Sequence, residues 1–351
     1  MPTRLAITLL LVGACAAPDE LSAVEQDSRP CPGQICGFNS PEVDHNGFHD
    51  LLKDGSANDQ GLAITEFVKG RNSYRLQVTN GELSGTAPGS LPLVHDALVG
   101  AEIHLSLNGS ASYAIRIASV GRMPFFAPPA GWVETYVLEY GLMEYGEGPT
   151  TWTNVCGGRW IPRDEFLMGP DGDMMWSNAE TFGQGPLDSI LFDLDWFNME
   201  RKTLNRVPDP NRFNIGCAGH TLSKMHLTRN TIASQGAGYA AHWEDRQATL
   251  KMLTADYCGD GTAFTVAGQA LDWQGGGVLY FSPPGRLEAR WTERGAACLE
   301  MPRMMRPTTA QGAAAFPDVE KAIAAQCRRP PPCEDRDPNS PSSGLRISAL
   351  R

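Results

Sequence analysis

Alternating apolar and polar residues in the first half of the chain predict a β-rich region. Two pairs, Asn80-Gly81 and Asn108-Gly109, favour the positive φ angles of tight hairpin turns. Short strands separated by such turns predict an antiparallel sheet, sandwich or barrel-like, over residues 39–145. The strand patterns cover residues 61–69, 74–83, 99–107, 112–120 and 132–140.

Helical spacing replaces the strand pattern in the second half. Apolar side chains recur at three- and four-residue intervals over residues 217–228, which predicts a helix. A second helix is predicted over residues 241–257, with Gly259 suited to the left-handed position just past its end. Residues 277–281 and 287–291 then predict strands of a small sheet against the helix pair.

The last part of the chain combines one short helix with a polar tail. Pro317 and Asp318 have the residue types favoured in a first helical turn and predict a helix over residues 318–326. Residues 334–351 are rich in Pro, Ser, Asp and Arg and contain few large apolar groups, so we expect them to be disordered.

These patterns predict an α+β fold that is predominantly β. An antiparallel β-rich N-terminal region precedes an α+β region that contains a disulfide-tethered helix pair. The predicted divisions are a signal peptide over residues 1–14, a lipid-anchored tether over 15–38, a β-rich region over 39–145, an α+β region over 146–300, a cysteine-bearing extension over 301–333 and a disordered tail over 334–351.

The first residues have the pattern of a secretory signal. Arg4 precedes an apolar run over residues 5–12, which is too short to cross a hydrocarbon core of about 30 Å. The run ending in Cys15 resembles a bacterial lipobox, in which the cysteine becomes the lipidated first residue of the mature protein. Ala16 stands where inner-membrane lipoproteins carry aspartate, which favours the outer membrane. The alternative is an ordinary signal peptide cleaved nearby.

Charge and cysteine content narrow the functional class. A formal net charge of −11 argues against a nucleic-acid partner, because phosphates attract a basic surface. Without Cys15, an even set of cysteines remains, and in an oxidising compartment these predict up to four disulfides among about 105 possible pairings. Short spacings suggest local bridges between Cys31 and Cys36 and between Cys327 and Cys333. The expected disulfide residues are Cys31, Cys36, Cys156, Cys217, Cys258, Cys298, Cys327 and Cys333.

One tetrapeptide resembles the signature of a known family. Ala255-Asp256-Tyr257-Cys258 is the motif that names the ADYC-domain proteins, and the resemblance extends from about residue 39 to residue 333. Its other landmarks match residues 213–219, 224–227 and 289–299. The resemblance implies a secreted or lipid-anchored protein of Gram-negative bacteria. It carries no established activity, so no catalytic residue follows from it.

Cys217 is the candidate nucleophile. The start of a predicted helix would favour its thiolate, and His220 or His242 as base with Asp256 as orienting group would complete a cysteine hydrolase. The alternative is a disulfide from Cys217 to Cys258 that fastens the two helices together. We favour the disulfide, because a free Cys217 would leave another cysteine unpaired in an oxidising compartment.

Metal and glycan sites have simpler alternatives. The Asp-x-Asp-x-Asp-Gly loop of calcium sites is absent, so carboxylates facing water are the simpler interpretation of the acidic positions. His220 and His226 do not share a helix face, which argues against zinc. Tryptophans could line a glycan groove, but large aromatics mostly build cores. The calcium candidates are Asp171, Asp173, Asp193 and Asp195.

The sequence therefore predicts a lipoprotein of the bacterial cell envelope, anchored in the outer membrane, that acts as a non-enzymatic binding or structural module. The alternative is a secreted cysteine-dependent hydrolase that uses Cys217 with His220 or His242. The expected partners are the membrane, through the lipid anchor, and a protein or glycan ligand. No cofactor is expected, because no stretch has a specific cofactor motif.

Overall fold

A computed structural model gives the fold of most of the chain from residue 42 onward. The predicted signal peptide, Cys15, and the tether with Cys31 and Cys36 lie outside the described residues. The structure describes residues 42–43, 46–125, 127, 130–143, 148–156, 167–168, 174–175, 188–198, 200–217, 221–235, 242–265, 272–275, 278–279, 286–303, 318–335 and 346–350.

Strands dominate these residues, and three α-helices accompany them. The helices are α1 (Thr221–Leu227), α2 (Trp243–Thr254) and α3 (Val319–Gln326), with short 3-10 helices at His95–Leu98 and Ala233–Gln235. The strands are β1 (Glu42–Val43), β2 (Asn46–Gly47), β3 (Leu51–Leu52), β4 (Leu62–Lys69), β5 (Asn72–Ser73), β6 (Arg75–Thr79), β7 (Glu82–Thr86), β8 (Glu102–Leu107), β9 (Ala111–Pro124), β10 (Trp132–Leu142), β11 (Thr153–Asn154), β12 (Leu167–Met168), β13 (Met174–Met175), β14 (Ser189–Leu194), β15 (Phe197–Asn198), β16 (Thr203–Leu204), β17 (Asp209–Cys217), β18 (Asp272–Gly275), β19 (Val278–Leu279), β20 (Arg286–Thr292), β21 (Gly295–Leu299) and β22 (Arg346–Leu350).

A large antiparallel sheet forms the first layer, in the order β3-β17-β14-β10-β9-β8-β4-β5, with β11 beside β10. It curls into a half-barrel, as the barrel-like prediction expected. Both predicted hairpin turns are present, and Asn80 and Asn108 have φ angles of 54° and 51°. Alternate residues such as Ile103 and Leu105 on β8 point into the core, which explains the periodicity of the sequence.

The large sheet crosses the predicted boundary at residue 146. Strand β10 pairs with β14, where Thr135 lies opposite Ile190, and β14 pairs with β17. Strand β17 in turn pairs with β3, where Phe213 lies opposite Leu51. The two predicted regions therefore share one sheet, and Leu191, Phe213 and Ile215 of the second region belong to the same core cluster as the first-region strands.

The helix pair lies between the large sheet and a second, smaller one. Helix α1 packs on β14 and β17, and α2 packs on α1 and on β20, β21 and β22. The predicted first helix is correct in its later part only, because Cys217 ends β17 and α1 begins at Thr221. Helix α2 is confirmed, but Ala255, and not Gly259, is the left-handed residue at its end.

The smaller sheet has the strand order β19-β18-β22-β20-β21. Its middle strand comes from residues 346–350, so the prediction of a disordered tail over 334–351 is wrong there. The tail's composition as a whole is polar, but Ile347 and Ala349 alternate and are both buried. The predicted α3 is confirmed, with Asp318 accepting a hydrogen bond from the backbone N–H of Lys321.

Three disulfides join the described cysteines: Cys156–Cys217, Cys258–Cys327 and Cys298–Cys333. They confirm disulfide use and correct the predicted pairings of Cys217 with Cys258 and of Cys327 with Cys333. Cys217 cannot reach Cys258, because it ends a strand of the large sheet and is already bonded to Cys156. Such bridges indicate an oxidising, extracytoplasmic compartment. Within the described part of the chain, no helix combines the length and apolar character needed to cross a membrane.

Candidate functional site

The segment Ala255-Asp256-Tyr257-Cys258 reverses the chain at the end of α2. Ala255 has a φ of 52° in the left-handed region, where a side chain costs roughly 1–2 kcal/mol relative to a right-handed conformation. The backbone N–H groups of Ala255 and Asp256 bond to the carbonyls of Met252 and Lys251, which closes the last turn of the helix. The three residues that follow hold this turn in place.

Asp256 forms a buried ion pair with Lys251. The side chain of Asp256 is fully buried, and its Oδ2 lies 2.5 Å from Nζ of Lys251. The N–H groups of Gly259 and Gly261 donate to the same carboxylate at 2.8 and 2.9 Å. Burial raises the pKa of Asp256, while the lysine charge and the Gly261 N–H oppose that rise.

The loop after Asp256 leaves no room for larger residues. A Cβ on Gly259 would lie 1.6 Å from the carbonyl oxygen of Arg294, and one on Gly261 would lie 2.0 Å from that of Glu200. Lys251 Nζ also donates to the carbonyls of Arg201 and Gly259, at 2.8 and 3.2 Å. Its three N–H bonds therefore all have acceptors, and the ammonium ties the loop to the neighbouring chain.

A second buried lysine lies close to this ion pair. Burial lowers the pKa of Lys202 to about 8, Asp256 acts in the opposite direction, and Lys251 lowers it further. The backbone carbonyl of Lys202 accepts a hydrogen bond of 2.8 Å from Gln247 of α2. Asp256 therefore offsets part of the charge of both lysines, and Glu200 also acts on Lys202.

Tyr257 connects the helix end to the smaller sheet. Its hydroxyl donates to Oε1 of Glu288 at 2.5 Å and accepts the backbone N–H of Arg303 at 3.0 Å. Arg303 in turn makes a two-pronged pair with Glu288, at 2.7 and 3.0 Å. The Tyr257 ring stacks on Trp291 with 5.3 Å between centroids, and burial raises the pKa of its hydroxyl.

Cys258 completes the segment through its disulfide to Cys327, the residue directly after α3. The four residues therefore bind α2 to its own following loop, to the smaller sheet and to α3. Their polar atoms face partners inside the protein, and Asp256 and Tyr257 are buried. The chemistry of this arrangement is structural, because a substrate could not reach these groups without opening the core.

The structure does not assemble the predicted cysteine hydrolase. Cys217 is buried and bonded to Cys156, so it has no thiol to act as a nucleophile. Asp256 is paired with Lys251, and His242 is an exposed residue immediately before α2. His220 lies outside the described residues.

The two calcium candidates that the structure describes each lie beside a cationic side chain. Asp195 is buried and pairs with Arg246, and its Oδ2 accepts the backbone N–H of Ile232 at 2.7 Å. Burial raises its pKa to about 7. Asp193 lies 3.9 Å from Nζ of Lys53. Asp171 and Asp173 lie outside the described residues, and within those residues no cluster of three or more His, Cys, Asp or Glu could hold a metal ion.

Two polar side chains at the centre of the fold lie within landmark segments of the sequence, but the sequence did not identify their partners. Asn214 accepts the N–H of Asp50 at 2.9 Å and donates to the carbonyl of Asp195 at 3.0 Å, linking β17 to two other segments. His226 is buried against Phe192, and burial lowers its pKa to about 3. Asn214 bonds to segments that lie far away in sequence, whereas His226 bonds to nearby Thr231 and stacks on distant Phe192.

The described tryptophans that were considered for a glycan groove lie in different parts of the fold. Trp291 lies in the core of the smaller sheet, and Trp243 donates to the carbonyl of Leu204 beside α2. Trp152 lies on the large sheet with the guanidinium of Arg116 over its ring at 4.3 Å. These rings occupy three separate places and serve packing.

A comparison with protein families agrees with this geometry. The model of the ADYC domain matches residues 95–305, which is more than half of the chain and includes the segment at the end of α2. The match begins at the 3-10 helix His95–Leu98 and ends shortly after β21, so it covers the helix pair and parts of both sheets. No curated protein and no solved structure matches the chain.

Proposed function

This chain belongs to the ADYC domain family, and from that premise we propose that it is a lipid-anchored, non-enzymatic binding or structural module of the bacterial envelope. One observation carries the proposal: the polar and sulfur atoms of the family's signature residues, Asp256, Tyr257 and Cys258, all bind partners inside the protein. Their role is to hold a fold together. Recognition of a ligand then falls to the surface that this fold presents.

The outward face of the large sheet supports a binding role. Charged side chains form a row across four neighbouring strands, where His104 lies 3.2 Å from Glu102 and Nε of Arg116 lies 3.1 Å from Glu139. Glu66 continues the row, 3.7 Å from His104. A polar, regularly spaced face of this kind suits a polar ligand, such as a protein or a glycan, better than an apolar one.

The predicted anchor agrees with the disulfides. Bonds such as Cys298–Cys333 form outside the cytoplasm, where lipoproteins are also placed. The lipobox-like run supplies the attachment point at Cys15, and residues 16–38 would act as a tether between the lipid and the folded part. One lipid-bearing residue and a polar tether would present the sheet away from the membrane.

Fractionation of the envelope tests the anchor. We expect Cys15→Ser to move the protein from the membrane fraction to the soluble fraction and to remove the lipid mass from the mature protein. Ala17→Ser, which leaves the cysteine in place, serves as the matched control and should stay with the membrane. Unchanged fractionation of Cys15→Ser would contradict the proposal.

Alkylation of the intact, non-reduced protein separates the module from the hydrolase. The structure predicts that Cys217 and Cys156 are protected and become reactive together after reduction. Mass spectrometry of the alkylated peptides gives this directly. A reactive thiol at Cys217 before reduction would favour the cysteine-dependent hydrolase with His220 or His242.

A further inference from the structure

The middle strand of the smaller sheet comes from a different part of the sequence than its neighbours. Strand β22 lies between β18 and β20 and runs antiparallel to both, although about fifty residues separate it from β20. Its backbone groups are therefore paired on both edges. Without β22, the two facing edges of β18 and β20 would lose their partners, and the sheet would contain a strand-shaped cleft.

Side chains of β22 are enclosed on both faces. Ile347 packs with Leu287 beside Cys333 of a disulfide, and it is 3 % exposed. On the opposite face, Ser348 is fully buried and accepts a 2.8 Å hydrogen bond from Nε1 of Trp291. Arg346 donates from that face to Oδ1 of Asn230 at 3.1 Å. The cleft therefore contacts alternate side chains of the strand as well as its backbone.

This combination is the geometry of strand-addition peptide recognition. In that mode, backbone hydrogen bonds supply affinity, and pockets for alternate side chains supply specificity. Here both edges of the peptide are bound, and the surroundings accept an aliphatic residue at one position and a small hydroxyl at the next. The chain's own residues 346–350 satisfy both conditions, so the best-fitting partner in solution is the same strand of a second copy.

We propose that the cleft between β18 and β20 is a strand-binding site, occupied within one chain by Arg346–Leu350 and able to take that strand from a second copy. The site is independent of the lipid anchor and of any ligand on the large sheet. Exchange of this strand would join two copies through paired backbones, with the rest of each fold unchanged.

The test uses the full chain, folded and oxidised, with a specific protease site inserted between residues 340 and 341. After cleavage, a fluorescein-labelled peptide of residues 341–351 stands for the strand of a second copy. We expect it to replace the cleaved fragment and to elute with the protein on gel filtration. Unlabelled peptide of the same sequence should compete with it.

Two altered peptides serve as matched controls. The Ile347→Asp peptide should bind at least about tenfold more weakly, because its carboxylate would be buried beside Leu287. The Ser348→Ala peptide should bind severalfold more weakly, because Trp291 loses its acceptor. The proposal is overturned if the cleaved fragment remains bound to the protein on gel filtration and no labelled peptide elutes with it. It is also overturned if the emptied protein binds no peptide, or if the Ile347→Asp peptide binds as well as the natural one.

Discussion

Replacement of Asp256 by asparagine should strongly destabilise the protein. The carboxylate holds Lys251 at 2.5 Å and accepts two backbone N–H bonds at 2.8 and 2.9 Å, all in a buried site. Asparagine keeps the shape but removes the charge, and its amide N–H₂ would face a backbone donor. The ammonium of Lys251 would remain buried without its carboxylate partner, and nearby Lys202 would lose the favourable charge of Asp256.

The structure sets the size of this effect. Removal of one partner from a buried ion pair costs about 3–5 kcal/mol, because the other charge stays desolvated. Asp260, four residues along the same loop, is the matched control. It is exposed and accepts hydrogen bonds from Thr262 and Gln326, so Asp260→Asn should cost less than about 1 kcal/mol.

Urea denaturation of the oxidised protein at pH 7 measures both free energies of unfolding. A double variant adds a second test: Lys251→Met with Asp256→Asn should cost less than the two single changes together, because it leaves neither charge unpaired. The interpretation is refuted if Asp256→Asn and Asp260→Asn are equally stable. Strict additivity of Lys251→Met and Asp256→Asn would refute the coupling between the two residues.

Three further changes probe other parts of the fold. Because burial raises the pKa of Asp195 to about 7, the folded state binds more protons than the unfolded state between about pH 4 and 7. Urea denaturation should therefore show that the wild type loses stability relative to Asp195→Asn as pH rises through that window, by up to about 1.4 kcal/mol per pH unit. Above the window the difference between the two proteins should stay constant. A gain in the relative stability of the wild type with rising pH would contradict this. Gly81→Ala should lower the free energy of unfolding by about 1–3 kcal/mol, because φ is 85° and the new Cβ would lie 3.0 Å from a β14 carbonyl. Gly89 also has a positive φ but has open space around it, so Gly89→Ala should be less destabilising when both variants are compared in thermal melts. Cys258→Ser and Cys327→Ser should each cost about 2–5 kcal/mol in urea, and the double variant no more than either, whereas additive losses would argue against the bridge.

Local signals predicted the local elements well. The Asn80-Gly81 and Asn108-Gly109 turns fix their own hairpins, because the required backbone angles depend on those residues alone. Helix α2 and helix α3 also follow from spacing and first-turn residues within one segment. In each case the information lies within a few residues of the structure that it specifies.

Local sequence signals could not predict which segments pair when they lie far apart in the chain. The prediction for residues 334–351 averaged composition over the whole tail and missed a five-residue strand that pairs with β18 and β20. Disulfide partners were open for the same reason, since cysteine spacing does not say which strand ends meet. The partner of Asp256 was missed because Lys251 stands five positions earlier, a spacing outside the helical neighbour pairs.

The helix end that carries Asp256 explains why a short motif can mark a whole fold. A left-handed residue turns the chain sharply, and three different bonds then fix the direction of the turn: an ion pair, a tyrosine hydroxyl bonded to Glu288 and a disulfide to α3. Each bond reaches a different element, so none can replace another. A polar group buried in this way is costly unless its partners are all in place, which makes the arrangement specific to one packing of α2 against the smaller sheet. Loss of any one bond should therefore loosen that packing and leave the outward face of the large sheet, where we place ligand recognition, intact.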